Sequence, residues 1–187
     1  MGPPDRNRRD RLKRLREETA EKTRSLTQGE VNLIPRKLKT AIDPAKVRLV
    51  NRAHNPFASG KYMARGNTIY WPGKMPEDFT GASLETQAIL MHELCHVWQY
   101  KAKRLSAFKY LTSPSHQKYT YVFDAKKTFN DYKTEQQADI VQDWYLTMKK
   151  RPASNSRGCM SEKGELDANC KPTYQQLDTL VQFKPVS

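Results

Sequence analysis

The chain has 187 residues, 33 Lys and Arg against 20 Asp and Glu, a formal net charge of +13 and 37% hydrophobic residues. That length suits one compact domain with polar extensions. The charge favours anionic partners such as nucleic acid, anionic lipid or an acidic envelope polymer. No apolar run is long enough to span a membrane, and no recognisable nucleic-acid module is present, which makes nucleic acid an unlikely partner.

The segment 1–25 is dominated by Arg, Lys and Glu and has no apolar face to dock it. It reads as a solvated helix or a basic arm. No apolar stretch follows Met1 to Arg24, so a secretory signal is not expected. The expectation is a protein made in the cytoplasm, with any export running by a signal-peptide-independent secretion system.

The globular part is expected over 26–151. Thr27 and Glu30 form a capping box, and Val31, Ile34, Leu38 and Ile42 follow at helical spacing. Pro35 should kink or split this helix, and Asp43-Pro44 should end it. Val47 to Val50 and Gly66 to Trp71 read as short strands. A strong helix is predicted over Ser83 to Lys103, with Leu84, Ala88, Met91, Cys95 and Trp98 on one stripe. Residues 105–133 are loop-like and rich in aromatics, from Phe108 to Tyr132, and are expected to roof a small core. Tyr119 to Phe123 reads as a short strand. A second strong helix runs from about Thr134 to Lys150, with Thr134 and Gln137 as a capping box, and Pro152 stops it. The segment 152–187 reads as a polar tail with a short helix from Tyr174 to Phe183, docking through Leu177, Leu180 and Val181.

The chemistry concentrates in the two strong helices. His92-Glu93-Leu94-Cys95-His96 is an HExxH pattern. Residues four apart on a helix share a face, so both imidazoles can address one ion, and Glu93 projects beside it as a general base. Downstream, Glu135 and Asp139 are again four apart. Glu135 suits a third ligand, and Asp139 can fix a ligand histidine through its other ring nitrogen. Two His and one Glu leave a coordination place for water, which is the catalytic rather than the structural zinc pattern. Cys95 points into the core stripe. Cys159 and Cys170 could close a small loop in an oxidising compartment or stay as free thiols; both readings stand. Tyr132, ahead of Tyr145 and His116, is the candidate donor to an oxyanion.

HExxH followed by a helix bearing Glu and, four residues on, Asp resembles the gluzincin metallopeptidases. The segments MHELCHVWQ and EQQADIV, with LTQGE, AIDPAKVRLVNR and GNTIYWPG, resemble bacterial Vgr-related zincin-like proteins associated with type VI secretion. The likeness covers roughly residues 26–148. It implies Zn2+ held by His92, His96 and Glu135, Glu93 as base, and an α+β zincin-like fold. That fold is a small, mainly helical domain with a short antiparallel sheet beside the active-site helix. It also implies an edge strand that pairs with extended peptide substrate, which would fall on Asn67, Thr68, Ile69 and Tyr70. The implied function is peptide-bond hydrolysis by a secreted antibacterial effector, with a secretion-spike or immunity protein as partner. Two alternatives stay open: hydrolysis of peptidoglycan cross-links, and a non-catalytic adaptor or chaperone of a secretion system.

Overall fold

The computed structural model describes residues 23–53, 61–104 and 120–183. The basic arm up to residue 22, the aromatics Phe108, Tyr110 and Tyr119, and His116 lie outside the described residues. In chain order, with labels assigned among the described residues, the elements begin with β1 (Thr23–Ser25), α1 (Gln28–Leu33), α2 (Arg36–Ala41) and β2 (Arg48–Val50). Next come β3 (Met63–Arg65), β4 (Thr68–Tyr70), α3 (Leu84–Lys101), β5 (Tyr121–Phe123) and α4 (Thr134–Met148). The chain closes with β6 (Ser156–Met160), β7 (Leu166–Asp167) and α5 (Tyr174–Leu180).

Pro35 does split the first helical segment, giving α1 and α2. The Thr27 and Glu30 capping box is present, and Glu30 is buried beneath it. Its carboxylate accepts from Thr27 N, Phe79 N and both terminal nitrogens of Arg24. That network ties the end of the expected arm into the domain, because Thr23–Ser25 also pairs with β2.

The first sheet has the order β1-β2-β4-β3. It is mixed rather than antiparallel, since β2 and β4 run parallel while β1/β2 and β3/β4 are antiparallel. The chain leaves β2, crosses to the far side and enters as β3, so the hairpin delivers β4 into the gap. The expected edge strand, Thr68 to Tyr70, is therefore an interior strand, and Asn67 sits in the hairpin turn. Among the described residues the edge on this side is β3. Gly66 takes φ +60° as first central residue of the two-residue turn, a conformation closed to most side chains. Leu49, Ala64 and Ile69 share the inner face and are buried, and β3 and β4 pack against α3.

Helix α3 starts at Ser83, whose hydroxyl accepts from Thr86 N, and packs mainly against α4. The expected single stripe is too modest a description: every residue from Gln87 to Gln99 except Ile89 is buried. Helix α4 begins at Thr134, as expected, but its cap lies one residue earlier than the expected Thr134 box. Lys133 is its N-cap, and Gln136 rather than Gln137 reaches back to the N-cap backbone. Both helices end in a Schellman pattern with a lysine at the left-handed position, Lys103 at φ 54° and Lys150 at φ 61°.

The segment after 152 is part of the same core. Strand β6 pairs parallel with β5 and antiparallel with β7, and Leu177, Leu180 and Val181 of the α5 region are buried. Asp143 of α4 anchors this segment, accepting from the backbone N–H groups of Ser154, Asn155 and Ser156 and from the Tyr121 hydroxyl. Cys159 and Cys170 form a disulfide across the exposed turn that follows. Tyr121, Phe123, Phe129 and Tyr132 are core residues, as a roofing role predicts.

A lysine in the left-handed region carries a Cβ penalty that glycine avoids, at about 1 kcal/mol. Lys150→Gly is therefore expected to stabilise the protein by up to about 1 kcal/mol, seen as a higher urea midpoint at unchanged slope.

Candidate metal centre

Helices α3 and α4 lie against each other so that one face of each contributes polar groups to a shared interior. From α3 come His92, Glu93 and His96; from α4 come Glu135 and Asp139. All five are at most 9% exposed. His92 Nε2 and His96 Nε2 are 3.2 Å apart. Glu135 Oε2 stands 3.6 Å from the first and 3.3 Å from the second. These three atoms form a group suited to holding a metal ion. A four-coordinate ion with bonds of about 2.0–2.2 Å places its ligand atoms about 3.3–3.6 Å apart, which matches the triangle. Three protein donors leave one position for a further ligand.

The groups around the triangle fix its orientation. Asp139 Oδ1 lies 3.2 Å from His92 Nδ1, off the line of an ideal hydrogen bond. Glu93 stands beside the histidines. The Ala64 backbone N–H of β3 donates to its carboxylate, while its Oε2 is buried with no hydrogen-bond partner. Helix spacing alone did not single out the support for His96. Its Nδ1 is 2.7 Å from Gln99 Oε1. Gln99 Nε2 donates to Thr134 O and to Gln137 Oε1, and Gln137 Nε2 donates to Phe129 O. The last acceptor is a backbone carbonyl, which fixes the Gln137 amide; that fixes the Gln99 amide, whose oxygen must then face His96. His96 is left with its proton on Nδ1 and a lone pair on Nε2, the tautomer that binds metal. Gln99, three residues after His96, was within reach of helix periodicity, whereas Gln137 looked like a cap.

The electrostatics follow from burial and crowding. Burial disfavours a charged His92, but Asp139 and Glu135 outweigh it and push its pKa up to about 10. His96 is raised as well, because Glu135 overcomes its burial. Burial opposes ionised Glu135 too, yet His96 and His92 hold its carboxyl well below the usual range. Glu93 goes the other way: burial raises it, only partly offset by His96 and His92. A raised carboxyl beside a metal group suits a proton acceptor working near neutrality. Burial also raises the Cys95 thiol, which faces the core and adds no ligand.

The remaining candidates are elsewhere. The Tyr132 hydroxyl donates to Val122 O and accepts from Asp124 N, so it braces β5. The Tyr145 hydroxyl donates to Gln87 Oε1 in the core. Asn67, Thr68, Ile69 and Tyr70 belong to the turn and interior strand, so β3 takes the edge beside Glu93. In a two-residue hairpin Arg65 and Thr68 are the hydrogen-bonded closing pair. Ala64 then faces Ile69 as a non-hydrogen-bonded pair, turning its N–H and C=O outward. No helix among the described residues is long and apolar enough to cross a membrane.

No family model matches the chain. Its sequence is 31% identical over 151 residues to the type VI secretion system spike protein VgrG2b of Pseudomonas aeruginosa. The match takes in 74% of this chain and 14% of that protein's length. The fold is similar to the solved effector domain of Pseudomonas aeruginosa VgrG2b, with a TM-score of 0.55 and 27% identity. That likeness covers 75% of this chain and 85% of the effector domain. Likeness in both sequence and fold marks the chain as a homologue of that effector domain.

Metal uptake at this group would displace protons, because Asp139 and Glu135 push the pKa of His92 up to about 10 and so keep it protonated at pH 7. Affinity should therefore rise with pH through the neutral range. Calorimetric titrations in buffers of different ionisation enthalpy should show proton release. Gln99→Leu should weaken metal binding about 10- to 100-fold, measured against a chromophoric chelator, with the far-ultraviolet spectrum unchanged.

Proposed function

We propose that the protein is a zinc-dependent hydrolase of the gluzincin type that cleaves peptide bonds. The observation that carries this reading is the buried His92–His96–Glu135 triangle with the unpaired Glu93 oxygen beside it. The donor set of two imidazoles and a carboxylate suits zinc, and three ligands rather than four is the catalytic pattern. A bound zinc ion would supply Lewis acidity, polarising the scissile carbonyl and acidifying a water.

The chain's own residues do the rest. Glu93 takes a proton from the attacking water on the oxygen that lacks a partner and passes it to the leaving amine. Ala64 N–H holds the other side of that carboxylate, so the base cannot swing away. Asp139 and the Gln99–Gln137 pair keep the two imidazoles in place. The edge that β3 forms among the described residues can align an extended peptide by backbone hydrogen bonds through the outward Ala64 carbonyl. The similarity to a type VI effector domain supports a secreted effector with a secretion-spike partner; an immunity protein is the second partner in this reading. Peptidoglycan cross-links remain the second substrate, since they too are amide bonds joined to carboxylates. A non-catalytic adaptor has less support, because a structural site has no use for a buried Glu93 with one unpaired oxygen.

Glu93→Gln should keep one zinc per chain by elemental analysis and lose hydrolysis by at least about 10²-fold. Glu135→Ala should lose zinc. A Glu93→Gln protein with wild-type turnover would remove Glu93 as the base.

A further inference from the structure

The C-terminal segment is held at two points, with little burial between them. At one, Asp143 of α4 accepts from the backbone N–H groups of Ser154, Asn155 and Ser156. At the other, the α5 region buries Leu177, Leu180 and Val181, and the Trp144 indole donates to Asp178. Residues 161–169 between them are exposed, and β7 pairs with β6 over only two residues. Helix α5 has seven residues, too few to persist in water without docking. Its docking is an intramolecular binding step, which a longer tether weakens.

The bond between Cys159 and Cys170 takes the exposed hairpin out of that tether, joining residues 11 apart in sequence. Cys159 is buried in β6, and Cys170 is half-buried just ahead of α5. The chain has three cysteines, and the third, Cys95, is buried inside α3 and does not compete. What the α5 region covers matters to the metal centre. Phe183, just past α5, sets its ring against Trp98 and Phe129, with centroids 5.0 and 5.7 Å away. Trp98 sits between His96 and Gln99 on α3. The Phe129 carbonyl fixes the Gln137 and Gln99 amides that orient His96.

We infer that the Cys159–Cys170 pair is a redox latch on α5: closing it holds the helix down and slows metal loss, and opening it loosens both. The metal half rests on the zinc-site reading; the helix half does not. Closure is thiol–disulfide exchange with a disulfide-bearing oxidant. The thiolate of Cys170, the more exposed member, attacks the oxidant, forming a mixed disulfide and releasing one oxidant thiol. The Cys159 thiolate then attacks the Cys170 sulfur, closing the bond and releasing the second. Two protons and two electrons pass from the cysteine pair to the oxidant. On the secreted-effector reading the chain is made where thiols stay reduced and meets oxidants after export.

The test compares the zinc-loaded full chain oxidised and after reduction with a water-soluble phosphine. Hydrogen exchange is followed by mass spectrometry over residues 174–183, and zinc release into excess chromophoric chelator is timed in parallel. Reduction should speed exchange over 174–183 about 100-fold, the scale set by a loop of this size, with 48–50 and 68–70 unchanged. Zinc release should quicken about 10-fold or more, and reoxidation with oxidised glutathione should restore both rates. Cys170→Ser should match the reduced protein and ignore the phosphine. Equal exchange over 174–183 in the two forms, or a phosphine response that persists in Cys170→Ser, overturns the inference. Faster exchange with unchanged zinc release overturns its link to the metal centre. A protein that takes up no zinc in either form would reject the zinc-site reading, and the exchange rates alone would then decide the latch.

Discussion

Everything at this centre depends on one packing decision, the burial of α3 against α4 with ionisable groups facing inward. Taking a charge out of water costs several kcal/mol, and an unpaired one cannot stay charged. Two histidines and three carboxylates in one dry volume must therefore satisfy one another or a shared cation. The opposed shifts record that pressure: His92 and His96 are raised, Glu135 is lowered, and Glu93 and Asp139 are raised by burial. A divalent ion held by His92, His96 and Glu135 would relieve the arrangement by taking the place of protons on the imidazoles and neutralising Glu135, leaving Glu93 with spare basicity. The same burial would then prepare the acid–base chemistry proposed for Glu93.

Helix α4 serves this centre by repetition. Glu135, Asp139 and Asp143 recur at four-residue intervals, all buried, and each has a different task. Glu135 faces the two imidazoles, Asp139 stands by the far nitrogen of His92, and Asp143 gathers the backbone of 154–156 with the Tyr121 hydroxyl. Three carboxylates in line repel, and Asp139 is raised in part by its two neighbours. The repulsion is tolerated because each finds its own donors. The position of the ligand helix is thereby coupled to the strand that follows it, and the C-terminal segment stabilises the centre without touching it.

How far the sequence disclosed this depended on whether a signal was local. HExxH, the Glu135 and Asp139 pair, the Thr27 and Glu30 box and the break at Pro35 are spacing patterns within one or two turns, and the helix geometry reads them directly. The order of strands was not readable. Three-residue strands such as Met63–Arg65 carry no periodicity to count, and which one becomes the edge depends on a crossover. Gln137 was misread for a related reason. Its spacing from Thr134 fits a cap, but a carbonyl at Phe129 and the amide of Gln99 compete for it from other elements. In the polar tail the docking helix was legible, while strands β6 and β7 were not, because their pairing rests on Asp143 and β5, neither of which is visible in the tail's own composition.

The hairpin at Gly66 shows how a remote backbone choice reaches the chemistry. Its turn fixes the pairing of Arg65 with Thr68, and hence of Ala64 with Ile69. Because side chains and peptide groups alternate along a strand, a slip by one residue would turn the Ala64 methyl out of the core and its N–H away from Glu93. The backbone carbonyl on the cleft side would be lost in the same movement. A residue with a Cβ at φ +60° in that turn would strain toward such a slip. The proposed general base and the proposed substrate-aligning edge are thus set by one register, and that register is held by a glycine in the turn beyond the strand.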